Sequence, residues 1–330
     1  MPNKRPVERP GPHRIVYLLG AGATHAELKS LDADLVDEEA GLLVTNVSSR
    51  VIERARHRKA YLQGLETVSG VAGSLNIELL ISLIESSKIR HWEDKTRLLK
   101  RLVREDIEGI LRAATTRRFY LHRALLEYHM LPGTMQTETL VGLVTLNYDC
   151  VLDEAYRELI GPVNYCMSLD PAPVGQGNIP LLKLHGSFGW SRVKIRGRPR
   201  SVEIIPMGLS KTYLHPPYGF IWSRALEVLV GCDVLRVVGS SLGQNDSHLV
   251  DLLFKAHLER TAPLCIEVID LEDACDRIRR AYGFFPIIRT PGEIGGVSTD
   301  NPFKAWLRDQ CARVRPEELQ RSRYLRRVLK

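Results

Sequence analysis

The chain of 330 residues has no uninterrupted apolar run approaching the roughly 20 residues that a membrane helix needs. That excludes a helical membrane protein. It has no paired-cysteine motif either. Its six cysteines, at positions 150, 166, 232, 265, 275 and 311, form no C-x-x-C pair, and no His/Cys cluster has zinc spacing. A structural zinc is therefore not expected, and no metal site is assigned. Several cysteines lie inside apolar runs, such as Cys265 in "PLCIEVID", and read as buried reduced thiols. The basic, proline-rich start "MPNKRPVERPGPH" lacks the hydrophobic block of a secretion signal. Residues 1–13 read as a flexible lead-in, and the protein as cytoplasmic. No internal repeat is present.

Hydrophobic residues make up 44% of the chain, ample for a buried core, and the net charge is +7. The charge is uneven. From Asn301 to Lys330 nine Lys/Arg stand against Asp309, Glu317 and Glu318, a balance of +6. A second basic cluster, "SRVKIRGRPR", spans 191–200. Each reads either as a solvated surface or as a contact for nucleic acid or an acidic partner.

Short runs rich in Val, Ile and Leu recur at 14–19, 141–146, 181–184, 234–238, 264–269 and 286–288. Their lack of alternation suits parallel strands covered on both faces. Helical patterns such as "VLDEAYRELI", "SHLVDLLFKAHLER" and "EDACDRIRRAYG" lie between them. The alternation predicts an α/β fold: a Rossmann-like, doubly wound, mostly parallel sheet. The stretch between the first two strands, about 25–138, is helical nearly throughout and reads as a large insertion over the carboxyl edge of the sheet. A basic β-hairpin is expected at about 190–206, and a basic helix followed by a charged tail over 291–330.

Residues that can carry chemistry stand where strands end. In "YLLGAGATHA" Gly20 and Gly22 follow the first strand. They suit either a phosphate-binding turn or simply a tight turn, and His25 stands where a dinucleotide fingerprint would place its third glycine. In "LVTLNYDC" Asn147 and Asp149 either face a ligand or support a turn and cap a helix. In "LLKLHGSF" His185 is either a general base or a structural histidine. "VVGSSLGQND" offers Gly239, Ser240, Ser241 and Asp246, groups suited to phosphate or ribose. Asp270, ending "IEVID", suits ribose hydroxyls or an N-cap.

The ordered series G-A-G-A-T, T-L-N-Y-D, K-L-H-G-S and V-G-S-S-L…D resembles the sirtuin (silent-information-regulator-like) superfamily over most of residues 14–290. Two features depart from protein-deacylating sirtuins: the zinc module of two C-x-x-C pairs is absent, and so is the G-I-P-x-F-R stretch. The chain is more similar to the bacterial sirtuin-like effectors of antiphage defence, which cleave NAD.

The resemblance implies NAD+ as substrate and no metal. It implies that Gly20, Ala21, Gly22 and Thr24 hold the pyrophosphate. Asn147 would orient the nicotinamide ribose and the attacking water, supported by Asp149, with His185 as general base. Gly239, Ser240 and Ser241 would serve the adenosine side, with Asp246 close by and Asp270 near the adenine ribose. The implied activity is an NAD+ glycohydrolase. The alternatives are an NAD-dependent deacylase, an ADP-ribosyltransferase and a catalytically silent NAD or ADP-ribose sensor. Activation is expected from outside the catalytic domain, by homo-oligomerisation or by a defence partner of ATPase/helicase-like or Argonaute type.

Overall fold

The computed structural model describes residues 11–31, 41–58, 76–114, 119–168, 178–192, 194–195, 198–199, 216–243 and 246–330. Six strands form one sheet: β1 (His13–Leu19), β2 (Glu138–Thr145), β3 (Leu181–Lys183), β6 (Val234–Val238), β7 (Cys265–Ile269) and β8 (Ile287–Arg289). Their order is β3-β2-β1-β6-β7-β8, and every neighbouring pair is parallel. This is the expected doubly wound α/β sheet. Two two-residue strands, β4 (Lys194–Ile195) and β5 (Arg198–Pro199), pair antiparallel. The rest of the expected hairpin, at 193, 196–197 and 200–206, lies outside the described residues.

The central strand shows why the sheet is covered on both sides. Ile15 to Leu19 are fully buried. Val16 and Leu18 share a core with Ile221, Ala225 and Leu229 of a helix at Tyr218–Gly231 and with Leu249 and Leu253 of another at Ser247–Leu258. Ile15, Tyr17 and Leu19 face the opposite core, with Leu121 and Leu125 of a helix at Leu121–Met130. Successive side chains point to opposite faces, so an unbroken apolar strand serves two helical layers.

The long helical stretch divides in two. Helix α1 (Ala21–Leu31) and the helix at Leu121–Met130 belong to the layers on the sheet. Helices α2 (Val44–Arg56), α3 (Ile77–Ser87) and α4 (Trp92–Ala114) form a separate cluster around Val51, Ile81, Ile84, Leu99 and Leu102. Tyr148 and Phe188, from loops at the strand ends, complete that cluster and dock it onto the sheet edge. Residues 32–40, 59–75 and 115–118 of the expected insertion lie outside the described residues, as do 1–10 of the expected lead-in.

The segment expected to end in a charged tail is folded. A helix at Pro302–Cys311 buries Phe303, Trp306 and Leu307, and the chain then returns to bury Tyr324, Leu325 and Val328 in the same core. The Glu127 carboxylate accepts from the amides of Arg323, Tyr324 and Leu325 at 2.8, 2.7 and 3.0 Å, and from the Ser322 hydroxyl. Charge dominates the composition here. The apolar residues, however, fall at spacings that turn one side inward while the arginines stay outside.

Candidate functional site

Strand register builds the site. Leu19 pairs with Thr145 on one side and Val238 on the other, Thr145 pairs with Lys183, and Val238 pairs with Ile269. Five strands thus end in one row, and the turns carrying Gly20, Asn147, His185, Gly239 and Asp270 leave it side by side. The chain winds outward in both directions from β1 and β6. Gly20 and Gly239 therefore flank the point where strand order reverses, where open α/β sheets place ligands.

The two glycine turns pack directly against each other. The Gly22 amide donates to the Gly239 carbonyl at 2.8 Å, and the Gly20 amide donates to the Val238 carbonyl at 3.0 Å. A Cβ on Gly20 would meet Ser240 Cβ at 2.6 Å, and one on Gly22 would meet Gly239 Cα at 2.8 Å. Gly239 has φ +58°, and a side chain there would strike the Ala23 nitrogen.

Asn147 and Thr24 tie β1 to β2. Asn147 Nδ2 donates to the Gly20 carbonyl at 2.9 Å and to Thr24 Oγ1 at 3.0 Å. Thr24 Oγ1 donates in turn to Asp149 Oδ2 at 3.0 Å. A carbonyl only accepts, so Gly20 fixes which end of the Asn147 amide points at it and leaves Oδ1 as that side chain's acceptor. Asp149 also caps the next helix, Oδ1 accepting from the Val151 amide at 3.0 Å. Both readings of Asp149 thus hold at once. Buried Lys183 grips this loop from β3. Its Nζ donates to the Asp149 carbonyl at 2.5 Å and to Asp153 Oδ2 at 2.7 Å.

A cleft of about 550 Å³, counting its open mouth, lies between these turns and the helical unit. Its sheet-side wall is Ala21, Thr24, Leu146, Asn147, Tyr148 and Asp149, and its far wall includes Val47, Val103 and Ile107. Among the described residues one polar group enters from the helical unit: Glu78, on the first turn of α3. Its Oε1 accepts from the Tyr148 hydroxyl at 2.9 Å, whereas Oε2 is buried with no hydrogen-bond partner among the described residues. Burial pushes the Glu78 carboxyl above the usual range, against the opposing pull of His185 and the Tyr148 hydroxyl.

His185 stands one layer behind this wall. It is 2% exposed, with Nε2 2.9 Å from Asp246 Oδ2 and its ring 6.4 Å from Tyr148 and 6.3 Å from Trp222. Burial would raise the Asp246 carboxyl, but the His185 ring beside it and the Leu249 amide outweigh that and hold it below its usual value. Asp246 also caps its helix by accepting from the Leu249 amide at 3.1 Å. Ser240 is buried, with Oγ accepting from the Leu242 amide at 3.3 Å, while Ser241 is exposed. Asp270 directly follows β7 and accepts from the Leu271 amide at 2.7 Å; burial raises its carboxyl. The structure thus gathers Ala21, Thr24, Asn147 and Asp149 at the cleft. Gly20, Gly22, Gly239 and Ser240 support them from beneath, and His185, Asp246, Ser241 and Asp270 lie off the cleft wall.

Sequence reasoning missed Glu78, Tyr148 and Lys183. Glu78 had one visible signal, a lone acid in the apolar run "IELLISLI", but an acid in a first turn ordinarily reads as favouring the helix dipole. Among the described residues no group of three or more His, Cys, Asp or Glu could hold a metal ion.

No protein-family model and no curated protein matches the chain. Solved structures similar to it at low identity include the following three. A Sir2 homologue in complex with NAD is 15% identical, with 90% of each chain covered and a TM-score of 0.38. A substituted Sir2 homologue in complex with 2′-O-acetyl ADP ribose is 14% identical, covering 90% of this chain and 93% of that one, with a TM-score of 0.41. A structure described for the mechanism and regulation of Sir2 enzymes is 12% identical, covering 91% and 94%, with a TM-score of 0.38.

Proposed function

We propose that this chain is an NAD+ glycohydrolase, which hydrolyses the nicotinamide–ribose bond to nicotinamide and ADP-ribose. One observation carries the reading. The first two of the four motifs that resemble a sirtuin in chain order meet in a single hydrogen-bonded group at the strand-order reversal, Gly20–Asn147–Thr24–Asp149, and Thr24, Asn147 and Asp149 of that group form one wall of a cleft. The lining of the cleft is apolar on most sides, with a few convergent polar groups. Apolar walls suit a flat heteroaromatic ring, and the nearby carboxyl and amide groups suit its carboxamide and ribose.

In this reading the C1′–N bond breaks with its electron pair passing to the ring nitrogen, so nicotinamide leaves neutral. The oxygen of one water bonds to C1′ and releases a proton. The transition state carries oxocarbenium character, as in glycoside hydrolysis. Asn147 Oδ1 accepts from a ribose hydroxyl or from that water, and Thr24 and Asp149 hold the amide in place. His185 remains the candidate base, buried with its ring 6.4 Å from that of Tyr148. Deacylation and ADP-ribose transfer share the same bond cleavage but require an acceptor, so nicotinamide release in buffer alone separates hydrolysis from both.

The test is nicotinamide release from NAD+ by the wild-type chain beside Asn147→Ala and His185→Ala, each also at high protein concentration. Release by the wild type and by neither variant is expected. A second reading, a silent NAD or ADP-ribose sensor, is favoured by one observation: both Asn147 amide hydrogens are spent on protein acceptors and His185 lies off the cleft wall. Binding without release under every condition would support it. We further propose an NAD-depleting role in antiphage defence, with activity governed by self-assembly or by a defence partner. A fully active monomer in light scattering would overturn that control.

A further inference from the structure

We propose that Glu78, carried by the helical unit, contacts the substrate: its open Oε2 pairs with the carboxamide of the nicotinamide ring, an inference that rests on the NAD+ reading above. The starting point is an unanswered polar atom. Glu78 is 6% exposed and lines the cleft opposite Asn147 and Asp149, yet only one of its two oxygens is bonded within the described residues. A buried oxygen without a partner is costly, and a site built around a ligand is where such a cost is sustained.

A structural duty does not account for it. The end of α3 is already capped by Asn76, whose side chain accepts from the Glu78 amide at 2.8 Å. The apolar residues of α3, Leu80, Ile81 and Ile84, hold the helix in its own cluster without the carboxyl. What the Glu78 side chain does instead is turn toward the sheet and take the Tyr148 hydroxyl. Tyr148 is the residue between Asn147 and Asp149, so the same contact orients Glu78 and closes the wall of the cleft.

The chemistry of the opening selects the ligand group. Burial raises the Glu78 carboxyl, with Asp246 adding to the shift and His185 and the Tyr148 hydroxyl opposing it. With Oε1 already accepting from Tyr148, the carboxyl has Oε2 left for one hydrogen-bond partner, as an acceptor when ionised and a donor when protonated. A primary carboxamide on an aromatic ring offers both an N–H and a carbonyl oxygen on a group that the apolar walls admit, so it complements Oε2 in either state.

The experiment compares three ligands: the non-hydrolysable carbocyclic analogue of NAD+, ADP-ribose, and free nicotinamide. Binding of each is measured by titration calorimetry on wild type, Glu78→Ala and Glu78→Gln. Removing the contact is expected to weaken the NAD+ analogue about tenfold or more, the scale of one buried hydrogen bond. ADP-ribose, which lacks the ring, is expected to bind all three proteins alike, which also shows that they fold. Nicotinamide binding is expected to be lost in Glu78→Ala. Glu78→Gln, whose amide still donates, is expected to retain most of the affinity. Unchanged binding of the analogue to Glu78→Ala overturns the proposal and leaves the NAD+ reading standing. Equal losses for the analogue and ADP-ribose overturn it in favour of a purely structural carboxyl. A wild-type chain that binds neither nucleotide overturns both.

Discussion

Thr24 and Glu27 lie one turn apart on α1 and show how single side chains hold the site. Thr24 Oγ1 both receives the Asn147 amide and donates to Asp149. Thr24→Val keeps the shape and removes both bonds. It is expected to cost about 1–3 kcal/mol of stability and to weaken nucleotide binding, read by thermal unfolding with and without ligand. Glu27 ties α1 to the helix at Leu121–Met130. Its carboxylate accepts from the amides of Leu121 and His122 at 2.8 and 2.9 Å, and His122 Nδ1 lies 2.8 Å away. Burial alone would raise this carboxyl, but the His122 ring, its charge and the two amides bring it below the usual range. A depressed folded value means stability that is present above the unfolded carboxylate pKa and lost as pH falls through the folded one. Glu27→Gln should therefore destabilise the protein at neutral pH by about 1.5–3 kcal/mol. It should also flatten the fall in unfolding temperature on acidification; an equally steep fall in the variant would refute the assignment.

At the scale of elements, the two glycine turns depend on each other. Each strand end was legible in the sequence as a glycine after an apolar run. That the turns after β1 and β6 interlock was not, because more than two hundred residues separate Gly20 from Gly239. The contact is made by backbone against backbone, which leaves no side-chain pattern to read. Gly239→Ala combines a left-handed φ of +58° with a clash against the Ala23 nitrogen. It is expected to cost at least about 2–3 kcal/mol. Gly243→Ala, four residues on, meets only Ser241 Oγ, at 3.9 Å, among the described residues and is expected to be neutral. Chemical denaturation of the pair checks both expectations, and equal stability of the two variants would contradict the interlock. His185 shows the limit in the other direction. Its place at a strand end was legible, but its distance from the cleft follows from Tyr148, whose ring is held by the helical unit.

For the molecule as a whole, the last thirty residues change meaning. As a string they read as a basic helix followed by a charged tail; in the fold both parts close one face of the sheet, with Phe303, Trp306, Tyr324, Leu325 and Val328. Deleting 315–330 would remove three of those five side chains and leave the Glu127 carboxylate without the amides it caps. At about 1.5–3 kcal/mol for each large buried side chain the loss is of order 5 kcal/mol or more. That is comparable to the whole stability of an ordinary domain. The truncated chain is expected to be insoluble or molten, shown by low soluble yield and loss of a cooperative transition. A cooperative transition like that of the full chain would show that the C-terminal helices are dispensable. Among the described residues no helix is long and apolar enough to cross a membrane.

Local pattern determined a good deal on its own. Unbroken Val/Ile/Leu runs made buried parallel strands, alternation with helices made a doubly wound sheet, and the polar residues after each run marked the edge where ligands bind. These features reside in neighbouring residues, so the chain order contains them. Tertiary structure alone decided three things. Register brought five strand ends into one row. Docking of the helical unit through Tyr148 and Phe188 set Glu78 against the sheet and His185 behind the cleft wall. Packing of the C-terminal helices turned a basic segment into part of the core. Each of these depends on surfaces meeting from distant parts of the chain, and burial of those surfaces, rather than any local preference, selected among the arrangements that the same pattern allows.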